Sequence, residues 1–191
     1  PMGRGNINQT LRVDLADGPT WVLQRLHPGV FPDPDAVMAN IRLVTELLSR
    51  ESLGGIRFFR LGRNPKGQDR FIDRQGCSWR LLTHIDNTRT LEHVENAAQA
   101  EAIGRLLGRF HLLTAGIAPQ RLADPLPGFH VTPHYLQHYD TLRDQVDPGN
   151  AGERRCAGLI EELRPLARAL EDARGFLSHR VIHGDPKAAN F

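Results

Sequence analysis

The chain has 191 residues, a formal net charge of +2 and 6% aromatic residues, enough for one medium domain or two small lobes around a core. That balance, without a basic stripe interleaved with aromatics, argues against a nucleic-acid partner. No run of about 18 apolar residues and no signal-peptide pattern occurs, so no membrane partner is expected. Cys77 and Cys156 lie far apart and lack metal-ligand spacing. They fit a reduced cytoplasmic protein, the simpler reading, or a single disulfide.

Residues 10–15 alternate as a strand does, and Asp17-Gly18 makes a turn into a second strand beginning at Trp21-Val22-Leu23. Asp33-Pro34 reads as an N-cap followed by proline at the first helical position. Val37, Ile41, Val44 and Leu48 follow at helical spacing. Gly54-Gly55 ends that helix. Further strands are expected over 56–61, 70–73 and 77–82, with turns at Asn64-Pro65 and Gln75-Gly76.

From Leu91 the pattern becomes helical. Ile103, Leu106, Leu107, Phe110 and Leu113 make an apolar stripe, and Gly104 and Gly108, one turn apart, suit close helix packing. Residues 119–133 form a proline-rich connection, 135–146 a helix, and Asp147-Pro148-Gly149-Asn150 a loop. Leu159, Leu163, Leu166 and Leu170 keep helical spacing, with Pro165 interrupting the run. A short strand at Val181-Ile182 then leads into the last segment.

That segment, His183-Gly184-Asp185-Pro186-Lys187-Ala188-Ala189-Asn190-Phe191, carries the chemistry. It sets an aspartate, a lysine two residues on and an asparagine five residues on within one turn. ATP-dependent phosphotransferases use this set: a carboxylate takes the proton of the attacking hydroxyl, a compact cation meets the phosphoryl group, and an amide oxygen holds a metal. Of the 24 basic residues, only Lys66 and Lys187 are lysines. Lys66 lies in a turn, whereas Lys187 keeps its ammonium inside the motif of an arginine-rich chain, a point charge that suits a tight phosphoryl site.

His183-Gly184-Asp185-x-Lys187-x-x-Asn190 resembles the catalytic loop of the aminoglycoside phosphotransferase and choline kinase superfamily. Trp21-Val22-Leu23-Gln24-Arg25, Val30-Phe31-Pro32-Asp33-Pro34, Met38-x-Asn40-Ile41, Val44-Thr45, Trp79-Arg80 and Pro127-Gly128-Phe129-His130-x-Thr132 resemble its N-acetylhexosamine 1-kinase branch. The resemblance implies an α+β, protein-kinase-like fold. A strand-rich nucleotide-binding lobe would span 1–86, and a partial helical lobe 87–191, with the nucleotide between lobes.

It further implies ATP and Mg²⁺ as cofactors and a small-molecule hydroxyl acceptor, a sugar first. Asp185 would be the catalytic base, Lys187 would stabilise the transferred phosphoryl group, and Asn190 would bind the metal. His183 would brace the loop. Gly3, Gly5 and Asn6 would form the glycine-containing turn over the ATP phosphates, donating backbone N–H groups. His130 and Thr132 would lie near the acceptor, although Thr132 equally suits capping of the following helix.

Protein kinases put a lysine on the third strand, paired with a helix glutamate. Here Gln24 and Arg25 occupy that stretch, with Asn40 and Glu46 as helix partners, and alternation alone does not say which of the two strand residues faces the nucleotide. The family's second metal-binding aspartate would follow Phe191, so the chain is expected to be the middle of a larger kinase, with little activity alone. Aminoglycoside or amino-alcohol kinases are the alternative within the fold, and a nucleotide-binding pseudokinase the alternative outside catalysis. His134 and His138 share a helix face without a third ligand, and read as surface histidines. Trp79 reads as core and His111 as a core-edge residue.

Overall fold

Two strands joined by the Asp17-Gly18 turn begin the fold. β1 (Gln9–Asp14) and β2 (Thr20–Arg25) pair antiparallel, from Gln9↔Arg25 to Asp14↔Thr20. The computed structural model describes residues 7–50 and 55–190. Their contacts divide into two units, one formed by Pro1–Pro125 with Arg180–Phe191 and the other by Leu126–His179.

In the first unit, α1 (Pro34–Leu48) starts as its sequence dictates: Asp33 accepts the Ala36 N–H at 2.9 Å and Pro34 opens the first turn. Two more strands follow, β3 (Arg70–Ile72) and β4 (Ser78–Thr83). β2 pairs with β4 from Trp21↔Thr83 to Arg25↔Trp79, and β3 pairs with the start of β4, giving the antiparallel order β1-β2-β4-β3.

Residues 56–61 do not form the expected strand. Only a Leu61↔Leu82 bridge is made, flanked by Gly62 N–H to Leu81 O at 2.8 Å and Thr83 N–H to Arg60 O at 2.9 Å. The Arg60 N–H goes to the Thr83 hydroxyl, at 2.8 Å, instead of to a backbone carbonyl. The ladder therefore stops at a single bridge, beside the stretch of β4 that β3 leaves unpaired.

α2 (Ala97–Thr114) begins six residues later than its apolar pattern suggested, because the Asn96 side chain takes the Gln99 N–H at 3.0 Å and fixes the start there. The stripe residues Ile103, Leu106, Leu107, Phe110 and Leu113 are half-buried. Gly104 and Gly108 pack against nothing: both are exposed, and a Cβ on either meets no atom within 4 Å among the described residues. Leu26, Val37, Met38, Leu48, Leu82, Ile117 and Val181 form the buried core, with Thr114 as its polar member. Val181 in this core anchors the segment that leads to the motif.

The second unit contains α3 (Thr132–Arg143), α4 (Ala151–Leu163) and α5 (Ala169–Asp172), with 3₁₀ turns at Arg164–Leu166 and Ala173–Gly175. α3 starts three residues before the expected 135, since Thr132-Pro133 supplies its first turn. Pro165 ends α4 as its ring requires. Leu159, Leu163, Leu166 and Leu170 all lie exposed among the described residues. Ion pairs tie the unit together: Arg164 holds Asp140 at 2.8 Å and Glu161 at 2.7 Å, and Arg143 holds Glu161 at 2.6 Å.

Candidate active site

The motif hangs from Val181, which is buried, while its neighbour Ile182 is exposed. No strand forms at Val181-Ile182, because neither residue enters a ladder among the described residues. Gly184 then turns the chain at φ +84°, in the left-handed region where a Cβ is strained. This places His183 behind the loop. Its Nδ1 accepts the Asp185 N–H at 3.4 Å, and its ring meets Phe110 of α2 edge-on, with centroids 5.9 Å apart. His183 thus braces the turn, as expected.

Asp185, Lys187 and Asn190 converge. Lys187 Nζ lies 3.0 Å from Asp185 Oδ2. Asn190 Nδ2 donates to the same Oδ2 and to the Asp185 carbonyl, both at 2.9 Å. The Asn190 N–H closes the 3₁₀ turn on the Lys187 carbonyl at 2.9 Å. The Lys187 ammonium, followed by the Asn190 amide, holds the Asp185 carboxyl below the usual carboxylate range. Both Asp185 and Lys187 are open to solvent, at 59% and 63% side-chain exposure. The carboxylate is therefore ionised at neutral pH and accessible, and among the described residues Oδ1 takes no hydrogen bond, as suits a base for an incoming hydroxyl.

The donor set also tests whether a divalent cation fits. Asn190 spends its N–H groups on Asp185, which leaves its amide oxygen open beside a carboxylate. No group of three or more His, Cys, Asp or Glu side chains gathers among the described residues. That single amide oxygen does not make a cage, but it suits an ion that takes its other ligands largely from phosphates and water, as Mg²⁺ does.

On the sheet, Gln24 and Arg25 meet different neighbours on its two faces. Gln24 Oε1 accepts both Nε and Nη2 of Arg80, at 2.9 and 2.5 Å, and Gln24 Nε2 donates to the Thr10 hydroxyl at 3.1 Å. Arg25, on the opposite face, contributes to lowering the Asp73 pKa, after the dominant Trp79 N–H bond. Trp79 is half-buried with its Nε1 on Asp73 at 2.8 Å. Neither expected helix partner meets Gln24 or Arg25 in a hydrogen bond or ion pair among the described residues. Asn40 exchanges two bonds with the Ala123 backbone, at 2.8 and 2.9 Å, and Glu46 is exposed. Arg80 is legible in the sequence only as part of the Trp79-Arg80 resemblance; a charged residue beside Trp79, Leu81 and Leu82 in one strand is the available signal.

In the second unit, His130 has φ +61°, its N–H meets the Tyr135 hydroxyl at 3.1 Å, and its ring lies 3.9 Å from Phe129. Thr132 is the first residue of α3, not its cap; Val131 holds the cap position without a side-chain bond. His134 and His138 lie on α3. Gly3, Gly5 and Asn6 fall outside the described residues. Cys77 and Cys156 are free thiols. No helix among the described residues is long and apolar enough to cross a membrane. A cavity of ≈ 740 Å³ near α1 and β3, lined by Asp35, Arg42, Arg63, Lys66, Asp69 and Arg70 among others, contains none of the motif residues.

Residues 1–191 match the phosphotransferase enzyme family, APH, from end to end. The chain belongs to this family. A solved structure of amicoumacin kinase hAmiN in complex with AMP-PNP, Ca²⁺ and Ami is similar, with a TM-score of 0.53 at 16% identity. The match covers 76% of this chain and 47% of that one, so the APH chain described above spans about half the length of its neighbour. At that identity the likeness shows the fold alone, which is α+β and protein-kinase-like, as the sequence implied.

Proposed function

We propose that this protein transfers the γ-phosphoryl group of ATP to a hydroxyl of a small molecule, with a sugar of the N-acetylhexosamine type as first acceptor. The observation that carries this reading is the convergence of Lys187 and Asn190 on one oxygen of Asp185, which leaves the other oxygen free. In this reading, Asp185 Oδ1 receives the proton of the acceptor hydroxyl. The acceptor oxygen bonds to the γ-phosphorus as the bond to the β-bridging oxygen breaks, and ADP leaves. Lys187 moves from the carboxylate to the phosphoryl oxygens, where its charge lowers the barrier. Asn190 offers its amide oxygen to a divalent cation, which when bound neutralises phosphate charge.

Gly3, Gly5, Asn6 and one of the opposite-facing pair Gln24 and Arg25 serve the nucleotide in this reading, within a lobe spanning 1–86. Residues 87–191 carry the catalytic loop, and His130 and Thr132 contact the acceptor. The family membership supports phosphoryl transfer to a small molecule. The similarity to a protein named an amicoumacin kinase supports testing acceptors other than sugars, aminoglycosides and choline included.

The test is ATP consumption with Mg²⁺ by the full-length protein against N-acetylhexosamines, hexoses, choline, aminoglycosides and amicoumacin, with Asp185→Asn as control. Turnover of N-acetylhexosamine that vanishes in the control supports the sugar-kinase reading. Turnover of another acceptor alone replaces the sugar. Silence across the panel with ATP still bound favours a pseudokinase or an acceptor outside the panel, and overturns the N-acetylhexosamine assignment.

A further inference from the structure

Four side chains stand in one row across the sheet, because the ladders pair Thr10↔Gln24, Gln24↔Arg80 and Arg80↔Arg70. The two arginines in that row are treated differently. Arg70 on the edge strand is neutralised by Asp35 of α1 at 2.7 Å and also donates to the Ser78 hydroxyl at 3.1 Å. Arg80 in the interior has no carboxylate partner among the described residues. Its Nε and one Nη are bound by the neutral amide oxygen of Gln24, and Nη1 has no partner there. Loss of water around this guanidinium pulls its pKa down to about 10, with no opposing charge to restore it.

Desolvating a cation costs free energy unless a charge or good hydrogen bonds offset it. A guanidinium held in register by an amide, with donors to spare, is set to receive an anion in its fork. Gln24 lies in the stretch where the kinase resemblance places a lysine, and its chemistry suits the neighbour it has here. A lysine there would repel Arg80, and a glutamate would neutralise it. The amide orients the fork and leaves its charge intact.

Resting on the phosphotransferase reading above, we propose that Arg80 binds the phosphates of the nucleotide, with Gln24 as its positioning residue. The cation of this site thus comes from β4, one strand over from the usual lysine.

Gln24→Glu separates this role from a structural one. The variant keeps the cross-strand pair, now as an ion pair, while cancelling the charge that a phosphate would meet. Equilibrium binding of AMP-PNP and adenosine to the full-length wild type, Gln24→Glu and Arg80→Met provides the test, with thermal melting of each protein alongside. Both variants are expected to weaken AMP-PNP by roughly tenfold or more, the worth of a charged hydrogen bond. Adenosine binding should be unchanged, and Gln24→Glu should melt no lower than wild type.

AMP-PNP binding unchanged in both variants overturns the assignment while leaving the kinase reading intact. Parallel loss of AMP-PNP and adenosine in both makes Arg80 a strut of the sheet, and also overturns it. A wild type that binds no AMP-PNP sinks the phosphotransferase reading and this inference together.

Discussion

Asn190 reaches back five residues to donate twice to Asp185, once to its backbone carbonyl and once to its carboxylate, both at 2.9 Å. The first bond closes the motif into a ring, and the second occupies Oδ2, the oxygen that Lys187 also meets, so that in the proposed function Oδ1 would take the acceptor's proton. In the proposed function the same amide would offer its oxygen to a cation. Asn190→Ala is expected to raise the Mg²⁺ concentration for half-maximal rate by about 10- to 100-fold, the range for groups that orient or hold a metal. An Mg²⁺ titration checks this, and an unchanged requirement would remove Asn190 from the metal site.

Lys187 is the first cause of the lowered Asp185 pKa. The sign follows directly: a depressed carboxyl stays ionised to lower pH, and removing the cation lets it return toward its ordinary value of about 3.9. Lys187→Met should therefore move the acid limb of kcat/KM upward in pH, and should lower the rate at neutral pH as well. The carboxylate is exposed, so screening keeps the shift of the limb small. A neutral-pH loss with an unmoved acid limb would confine Lys187 to the phosphoryl group.

What the sequence made legible was local. The α1 start needs only Asp33 and Pro34, the β1–β2 hairpin needs only alternation and a turn, and the motif places its three side chains within six positions. What it hid depends on partners distant in the chain. The Gln24–Arg80 pair spans 56 positions and exists only because β2 and β4 adopt that register. Residues 56–61 have strand composition, yet the Arg60 N–H is diverted to the Thr83 hydroxyl and the ladder stops. Gly104 and Gly108 have the spacing of a packing motif, but spacing does not supply the surface to pack against.

Two glycines test opposite constraints. Gly184 has φ +84° with open space around it, so Gly184→Ala incurs backbone strain alone, about 1–2 kcal/mol. Gly62 carries no such dihedral, but a Cβ there lies 2.8 Å from Leu81 Cδ2 and 3.0 Å from Trp21 Cζ3. Gly62→Ala is overpacking, about 1–3 kcal/mol. Melting of both variants reads the costs. Enlarging a cavity with Leu81→Ala should partly rescue Gly62→Ala and leave Gly184→Ala unimproved.

Asn40 joins α1 to a segment 83 positions away through paired bonds to the Ala123 backbone. Asn40→Leu keeps the volume and leaves that N–H and carbonyl to find water. A loss of about 0.5–1.5 kcal/mol in unfolding free energy is expected, the net worth of a hydrogen bond whose partners can turn to water. Denaturant unfolding measures it. A change within error would mean that water replaces the amide at no cost.

Arg164 supports the second unit through Asp140 of α3 and Glu161 of α4. Hydrogen bonding to Arg164 is the largest cause lowering both carboxyl pKa values. A lowered folded pKa gives stability that is complete above the unfolded values, about 3.9 for Asp and 4.3 for Glu, and lost as pH falls through the folded ones. Amide-exchange protection in α3 and α4 should therefore hold near neutral pH and decline below about pH 4 as these carboxylates take up protons. Arg164→Met removes the partner: protection should be weaker than wild type at neutral pH, and the two proteins should converge in acid. A gap that persists at low pH would show that Arg164 supports these helices through packing of its stem, not through charge.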